Sequence, residues 1–160
     1  MDAPSYLIGI DPGVAGAIVV EANGEIAEVI DTPTIEVRGK RHVCPHGIRE
    51  VLYGLAKCKA TAVVEWVQGV QQSGATSAFN FGRGFGVIEG VLAGLGIPYV
   101  LVRPQAWTKA LGVGSDKGAH RAAAMRLWPD SADLFKRAKD DGRADAALLC
   151  HWYVRHRSQA

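Results

Sequence analysis

The chain is poor in cysteine. Its three, Cys44, Cys58 and Cys150, are an odd number without framework spacing, which excludes a disulfide scaffold and fits a reducing, intracellular setting. Long apolar runs are missing too: nothing in the 160 residues approaches membrane-spanning length, and the Met1-Asp2 start lacks a basic, apolar signal segment. A cytoplasmic protein with no membrane partner is expected. Charge of one sign is not in excess, because the formal net charge is only +2; alone, that does not point to a polyanion. Internal repeats and low-complexity tracts are absent. What remains is one ordinary globular domain over residues 1–160, 48% hydrophobic and 21% charged, with enough length for a real core.

What is present is unevenly placed. Arg38, Lys40, Arg41 and His42 cluster in one stretch, Lys136, Arg137 and Lys139 in another, and Arg155, His156 and Arg157 near the end. A short basic run is ordinarily a solvated surface. Several of them, together with a few concentrated acids, make the layout expected of an enzyme that cuts a polyanion.

The chain is organised around Tyr6-Leu7-Ile8-Gly9-Ile10-Asp11-Pro12-Gly13. An apolar run of strand length stops at an acid, because Pro12 cannot donate to a ladder and Gly13 permits positive φ. Asp-Pro-Gly alone reads as a turn. Ala17 to Val20 then forms a second, antiparallel strand, and Glu25 to Ile30 a third after the Asn23-Gly24 turn signal. Thr32 to Cys44 reads as a loop or weakly paired edge, and Pro45 opens a helix through Ile48, Val51, Leu52 and Leu55. Thr61 to Val64 is a short buried strand that delivers a second terminal acid, Glu65.

Val67 to Gly74 reads as a mobile loop. Phe79 to Leu95 is a helix whose Gly82, Gly86, Gly90 and Gly94 recur every fourth residue, beside an apolar stripe of Phe81, Phe85, Ile88, Leu92 and Leu95. Such a ridge serves either close packing on the domain's own sheet or a homodimer contact. Tyr99 to Val102 is a further strand, and Pro104 starts a helical turn carrying Trp107 and Lys109. Ser115 or Asp116 caps a helix to about Trp128. Pro129 to Lys139 connects to a last helix, from near Asp140 to Arg155, that buries Ala147, Leu148 and Trp152. The result is an α/β fold with a mixed sheet.

That last helix opens Asp140-Asp141-Gly142-Arg143-Ala144-Asp145. Asp140 and Asp141 suit N-capping, whereas Asp145 sits beside an apolar run and shares a face with Asp141. Like charges stacked on one face repel unless a cation lies between them. Two strand-end carboxylates and a helical Asp pair offer oxygen ligands only, which suit Mg²⁺ or Mn²⁺. Two such ions about 4 Å apart can serve phosphodiester hydrolysis. His42, Cys44, His46 and Cys58 match no zinc module. Cys150 reads as core, and Trp107, Trp128 and Trp152 as packing.

These stretches resemble the RuvC-type Holliday-junction resolvases, particularly their bacteriophage branch, almost end to end. The anchors are Ile8 to Gly13, Val63-Val64-Glu65, Ser77 to Arg83, Val102 to Trp107, Ser115-Asp116-Lys117 and Asp140 to Asp145. The resemblance implies a ribonuclease H-like fold, with a mixed five-stranded sheet, three antiparallel strands then two parallel, flanked by helices. It implies a homodimeric, metal-dependent endonuclease that binds four-way and other branched DNA. Paired symmetric nicks would leave 5′-phosphate and 3′-hydroxyl ends, in the host cytoplasm if the protein is phage-encoded. Asp11, Glu65, Asp141 and Asp145 match the metal-binding positions, and Lys117 the basic residue near the scissile phosphate. Arg38, Lys40, Arg41, Gln68, Phe79, Arg83, Lys117 and Arg121 are the candidate DNA contacts. Two departures matter. Cellular members space their last acids three apart, where this chain has Gly142, so Asp141 or Asp140 must supply the fourth ligand. They also carry an intruding aromatic just after the second acid, where this chain has Trp66 and Gln68, with Phe79 as a substitute. A junction-binding module that does not cut is the alternative; an actin-like ATP-binding domain shares the Asp-x-Gly strand turn but needs two such domains and a second glycine-rich phosphate loop.

Overall fold

A computed structural model describes residues 5–67 and 74–157. The first strand, β1 (Ser5–Asp11), pairs antiparallel with β2 (Ala17–Ala22), which pairs antiparallel with β3 (Glu25–Asp31). The chain then leaves this sheet for a hairpin of β4 (Thr34–Val37) and β5 (Lys40–Val43). Helix α1 (Pro45–Tyr53) leads to β6 (Lys59–Glu65), which lies parallel to β1. Helix α2 (Ala75–Gly94) leads to β7 (Tyr99–Val102), parallel to β6. Three helices complete the chain: α3 (Pro104–Leu111), α4 (Lys117–Leu127) and α5 (Asp141–Arg157). The main sheet is therefore mixed and five-stranded, in the order β3-β2-β1-β6-β7, as expected from the sequence.

Side chains alternate across this sheet and feed two separate cores. Ile8, Ile10, Ile18, Ala62 and Val64 face one way, onto Ile48 and Leu52 of α1 and Ile88 and Leu92 of α2. Val19 and Val63 face the other way, onto Trp107, Ala123, Ala124 and the Ala146–Leu149 run of α5. Burial on both faces is why β1 and β6 read as continuous apolar runs. The contact with α5 is closest at Gly9, where an ideal Cβ would lie 1.8 Å from the Ala146 carbonyl oxygen and 2.9 Å from Cys150 Sγ. Helix backbone thus rests directly on strand backbone there.

Several expectations are corrected. Thr32 to Cys44 is not a loop or sheet edge but a separate two-stranded sheet whose turn, Arg38-Gly39, has φ of 52° and 73°. Helix α2 begins at Ala75 rather than Phe79, with Ser77 and Ala78 N–H groups bonded to the Gly74 carbonyl. Its apolar stripe is not free for a partner: Ile88 and Leu92 are fully buried in the chain's own core, and Phe85 packs against them. The glycine ridge faces outward instead, since a Cβ at Gly82, Gly86, Gly90 or Gly94 would meet nothing within 4 Å. Trp152 is only half-buried, while Cys150 is core as expected. The expected loop from Val67 to Gly74 lies largely outside the described residues. Among those described, no helix is long and apolar enough to cross a membrane.

Candidate active site

Two carboxylates arrive by parallel strand pairing. Ile10 pairs with Val64, so the next residue on each strand, Asp11 and Glu65, leaves the sheet beside the other. Each strand ends there for a local reason: Pro12 closes β1, and β6 loses its last partner once Trp66 N–H bonds the Val102 carbonyl at 2.7 Å. Glu65 is 7% exposed and accepts a hydrogen bond of 3.0 Å from the Trp107 indole N–H.

Helix α5 brings the third. Asp145 is 1% exposed in a helix packed on β1, and it is held from two sides. His120 Nδ1 lies 2.6 Å from Asp145 Oδ1, with His120 Nε2 2.9 Å from the Gly114 carbonyl oxygen. Both ring nitrogens thus face oxygen acceptors, and a neutral ring can donate to only one. Lys117 Nζ donates to the other Asp145 oxygen. The His120 ring meets Trp107 edge-on, with centroids 5.0 Å apart, so the two groups that orient Glu65 and Asp145 brace each other. The sequence marks neither as part of a site: Trp107 reads as packing, and nothing local distinguishes His120. Their partners lie 42 and 25 residues away, and no local pattern announces such pairs.

Position 142 explains the unusual spacing of the last acids. An ideal Cβ there would lie 2.8 Å from the Ala15 carbonyl oxygen, 2.8 Å from Gly16 Cα and 3.0 Å from Asp11 Oδ2. No side chain fits between α5 and the turn after β1, so a carboxylate three residues before Asp145 is sterically barred. Asp140 and Asp141 differ in what holds them. Asp140 is buried and occupied: its carboxylate takes Arg137 Nη2 at 2.8 Å and the Arg137 backbone N–H at 2.9 Å, with Arg143 Nη1 at 3.7 Å. Asp141 is part-exposed, bonded to the Arg121 guanidinium, and close enough to Asp11 to act on its charge.

The electrostatics mark these residues as one group. Burial pushes the Asp11 carboxyl well above the usual range, and Glu65, Asp145 and Asp141 push it further, with Lys117 opposing. Burial likewise raises Glu65, helped by Asp145 and resisted by the Trp107 hydrogen bond. Against burial, which would lower it, the Asp145 hydrogen bond and the charges of Asp145, Asp11 and Glu65 hold Lys117 above the usual lysine value. Carboxyls raised together by burial and by one another's charge mark a candidate functional site. An all-oxygen donor set of this kind suits a hard divalent cation. As the side chains stand, no three His, Cys, Asp or Glu groups among the described residues form a ready cage, and Lys117 and Arg121 engage Asp145 and Asp141. Those two bonds are what a cation would have to replace.

Comparison with solved structures bears on the arrangement. Thermus thermophilus RuvC aligns with a TM-score of 0.63 at 19% identity, over 95% of this chain and 96% of that one. T. thermophilus RuvC in complex with a Holliday junction substrate gives 0.64 at 19% identity, over 96% and 97%. The fold is RuvC-like. The yeast mitochondrial Holliday junction resolvase Ydc2 aligns at 0.58 with 15% identity, over 99% of this chain and 81% of that one. No family model matches the chain, and no curated protein matches it by sequence.

On this RuvC-like frame the expected DNA contacts fall into separate places. Arg38, Lys40 and Arg41 are exposed on the β4–β5 hairpin. Arg83 Nη1 lies 3.3 Å from His42 Nδ1 and links α2 to that hairpin. Phe79 is 70% exposed on α2. Lys117 and Arg121 sit instead among the carboxylates, and Gln68 lies outside the described residues.

Proposed function

We propose that the protein is a metal-dependent, structure-selective DNA endonuclease that resolves four-way junctions and cuts other branched DNA. The observation that carries this reading is the convergence of Asp11, Glu65, Asp141 and Asp145 from two strand ends and one helix into a single electrostatically coupled group. It is supported by the fold shared with resolvases, one of them in complex with a junction. The four acids would hold Mg²⁺ or Mn²⁺, two ions per site. When bound, such ions lower the pKa of water and neutralise charge on a leaving oxygen. The chain's own residues do the rest. Trp107 and His120 fix the carboxylates of Glu65 and Asp145, and excess negative charge keeps Lys117 protonated, ready to face a phosphate oxygen. Arg38, Lys40, Arg41 and Arg83 supply the attraction for the backbone. In-line hydrolysis would leave a 5′-phosphate and a 3′-hydroxyl, in the cytoplasm, of the host if the bacteriophage motifs reflect origin.

Paired, symmetric nicks require two sites about a twofold axis. The outward glycine ridge of α2 is the candidate self-complementary patch. Because a Cβ at Gly86 is open to solvent and leucine favours a helix more than glycine does, Gly86→Leu should not destabilise the protomer yet should shift the protein toward monomer in sedimentation equilibrium. A variant that stays dimeric moves the interface elsewhere. The function itself is tested by nicking of a synthetic four-way junction with and without Mg²⁺. Binding without cutting under every divalent cation would leave a junction-binding module.

A further inference from the structure

A small cleft of about 130 Å³ lies between the last turns of α4 and α5 and the connection from α3 to α4. It is set apart from the carboxylate group. Arg126 follows Lys117 by nine residues on α4, and Arg155 follows Asp145 by ten on α5, roughly 15 Å along each helix. Its walls are built rather than incidental. At the end of α3 the Gly112 and Val113 N–H groups bond the Lys109 and Thr108 carbonyls at 3.2 and 3.1 Å, with Gly112 at φ of 67°. That closure turns the chain back and seats its next apolar residue, so Leu111 and Val113 both pack against the core beside α5. Across the cleft, the Trp128 indole is buried and donates to the Gly24 carbonyl oxygen at 2.9 Å, while Leu127 before it stays 40% exposed.

Two chemistries meet in the lining. Val113, Leu127 and Leu148 make it apolar, Arg126, His151 and Arg155 make it basic, and no acid among the described residues lines it. Arg121, Arg137 and Arg143 each bond a carboxylate, whereas Arg126 and Arg155 have no carboxylate partner among the described residues. An arginine in a last helical turn complements the helix dipole. That accounts for each one alone, but not for two, from different helices, flanking one apolar hollow. His151 is part-buried beside them, with Trp128 edge-on at 6.1 Å. The charged groups sharing the cleft with it are Arg155 on its own helix and Arg126 on α4; the α3–α4 connection brings only Leu111 and Val113. Burial and the Arg155 charge hold its ring below the usual histidine value.

We propose that this cleft docks an acidic segment of another protein. One aliphatic side chain of the segment enters the hollow, and carboxylates on either side of it meet Arg126 and Arg155. Charge complementarity selects the occupant, because a lining of three basic groups and no acid favours an anionic partner and repels a cationic one. The apolar hollow selects protein over nucleic acid. A phosphate backbone would satisfy the arginines but carries no aliphatic group to fill the space between them. The place of the cleft matters as well. A partner held at the far ends of α4 and α5 leaves the carboxylate group open, so docking recruits the protein without blocking it. The inference stands whether or not the chain cuts DNA.

The test is peptide binding by the full chain, with a short labelled peptide of aspartates around a single leucine as the probe. Wild type should bind it, and replacing the leucine with serine should weaken binding about tenfold or more. Arg126→Ala and Arg155→Ala should each weaken the leucine peptide about tenfold and leave binding to a four-way junction unchanged. An anion beside His151 favours its charged form, so wild type should bind more tightly at pH 6 than at pH 8. His151→Asn should lose that dependence. Equal affinity for the leucine and serine peptides, or unchanged affinity in both arginine variants, would overturn the site, as would a pH dependence that survives His151→Asn. No peptide binding at all would overturn it too; if the arginine variants then lost junction affinity, the arginines would belong to DNA. Both arginines are exposed in last helical turns, so their variants fold, which matching melting curves verify, and the two peptides test the hollow on wild type alone.

Discussion

Two groups of acids lie close together in this protein and are treated in opposite ways. Asp31 and Asp140 are clasped by arginines: Arg143 Nε and Nη2 reach the Asp31 oxygens at 2.6 and 2.8 Å, while Arg137 and Arg143 hold Asp140. The Arg143 hydrogen bonds hold Asp31 below the usual carboxylate range, and those of Arg137 do the same for Asp140 despite its burial. Asp11 and Glu65 are pushed the other way, by burial and by one another's neighbours. Asp141, next to Asp140 in sequence, stands between the two groups: Arg121 bonds its carboxylate, yet its charge acts on Asp11. Arginine-bonded Asp31 and Asp140 fasten the fold; on the proposed reading, the acids that face one another serve a cation.

The largest effect should come from Asp11→Asn. Cutting should fall roughly a hundredfold or more, with junction binding retained, because less negative charge does not weaken attraction to DNA. Stability should move the other way. A carboxyl raised in the folded state costs nothing below the unfolded value near 3.9, and the cost grows as pH rises through the folded value. Without divalent metal, the variant should therefore melt above wild type at pH 7 and level with it in acid. Mg²⁺ should raise the wild-type melting temperature at pH 7 more than that of the variant. Equal melting of the two proteins at pH 7 would mean the acids do not repel.

Asp140→Ala probes the other side of the comparison. Losing a buried carboxylate that serves two arginines should cost about 1–3 kcal/mol in urea denaturation. Its lowered carboxyl contributes stability above the unfolded value that is lost as pH falls through the folded one, so the deficit should close in acid. Cutting per folded molecule should be unchanged. A variant that is stable but inactive would transfer Asp140 to the reacting group.

Trp107→Phe should have the smallest effect. It keeps a ring in the core but removes the donor to Glu65, so about tenfold more Mg²⁺ should be needed for half-maximal cutting. A metal titration that matches wild type would make Trp107 packing alone, as its sequence context suggested.

The strand-end acids were legible because each apolar run stops abruptly at a carboxylate, and strand termination is a local property. The mixed sheet followed from the same runs and their spacing. The hairpin was not legible, and a comparison of turns shows why. Asn23-Gly24 and Arg38-Gly39 have similar backbones, with φ of 55° and 87° against 52° and 73°. Asparagine advertises a left-handed turn and arginine does not. The hydrogen bonds of Trp107 and His120 are not legible in sequence, because a buried polar contact is made by tertiary packing. The fourth acid was ambiguous for a steric reason at Gly142 that exists only once α5 meets the turn after β1.

Gly9 has a consequence for how the reacting group keeps its dimensions. Asp11 lies two residues beyond it, and Asp145 directly precedes the Ala146 carbonyl against which Gly9 rests. The spacing of those two carboxylates is thus gauged main chain to main chain, with no side chain interposed. Repacking either core would alter stability without resetting that gauge. A single added methyl at position 9 would reset it, by lifting the helix that carries one acid off the strand that carries the other.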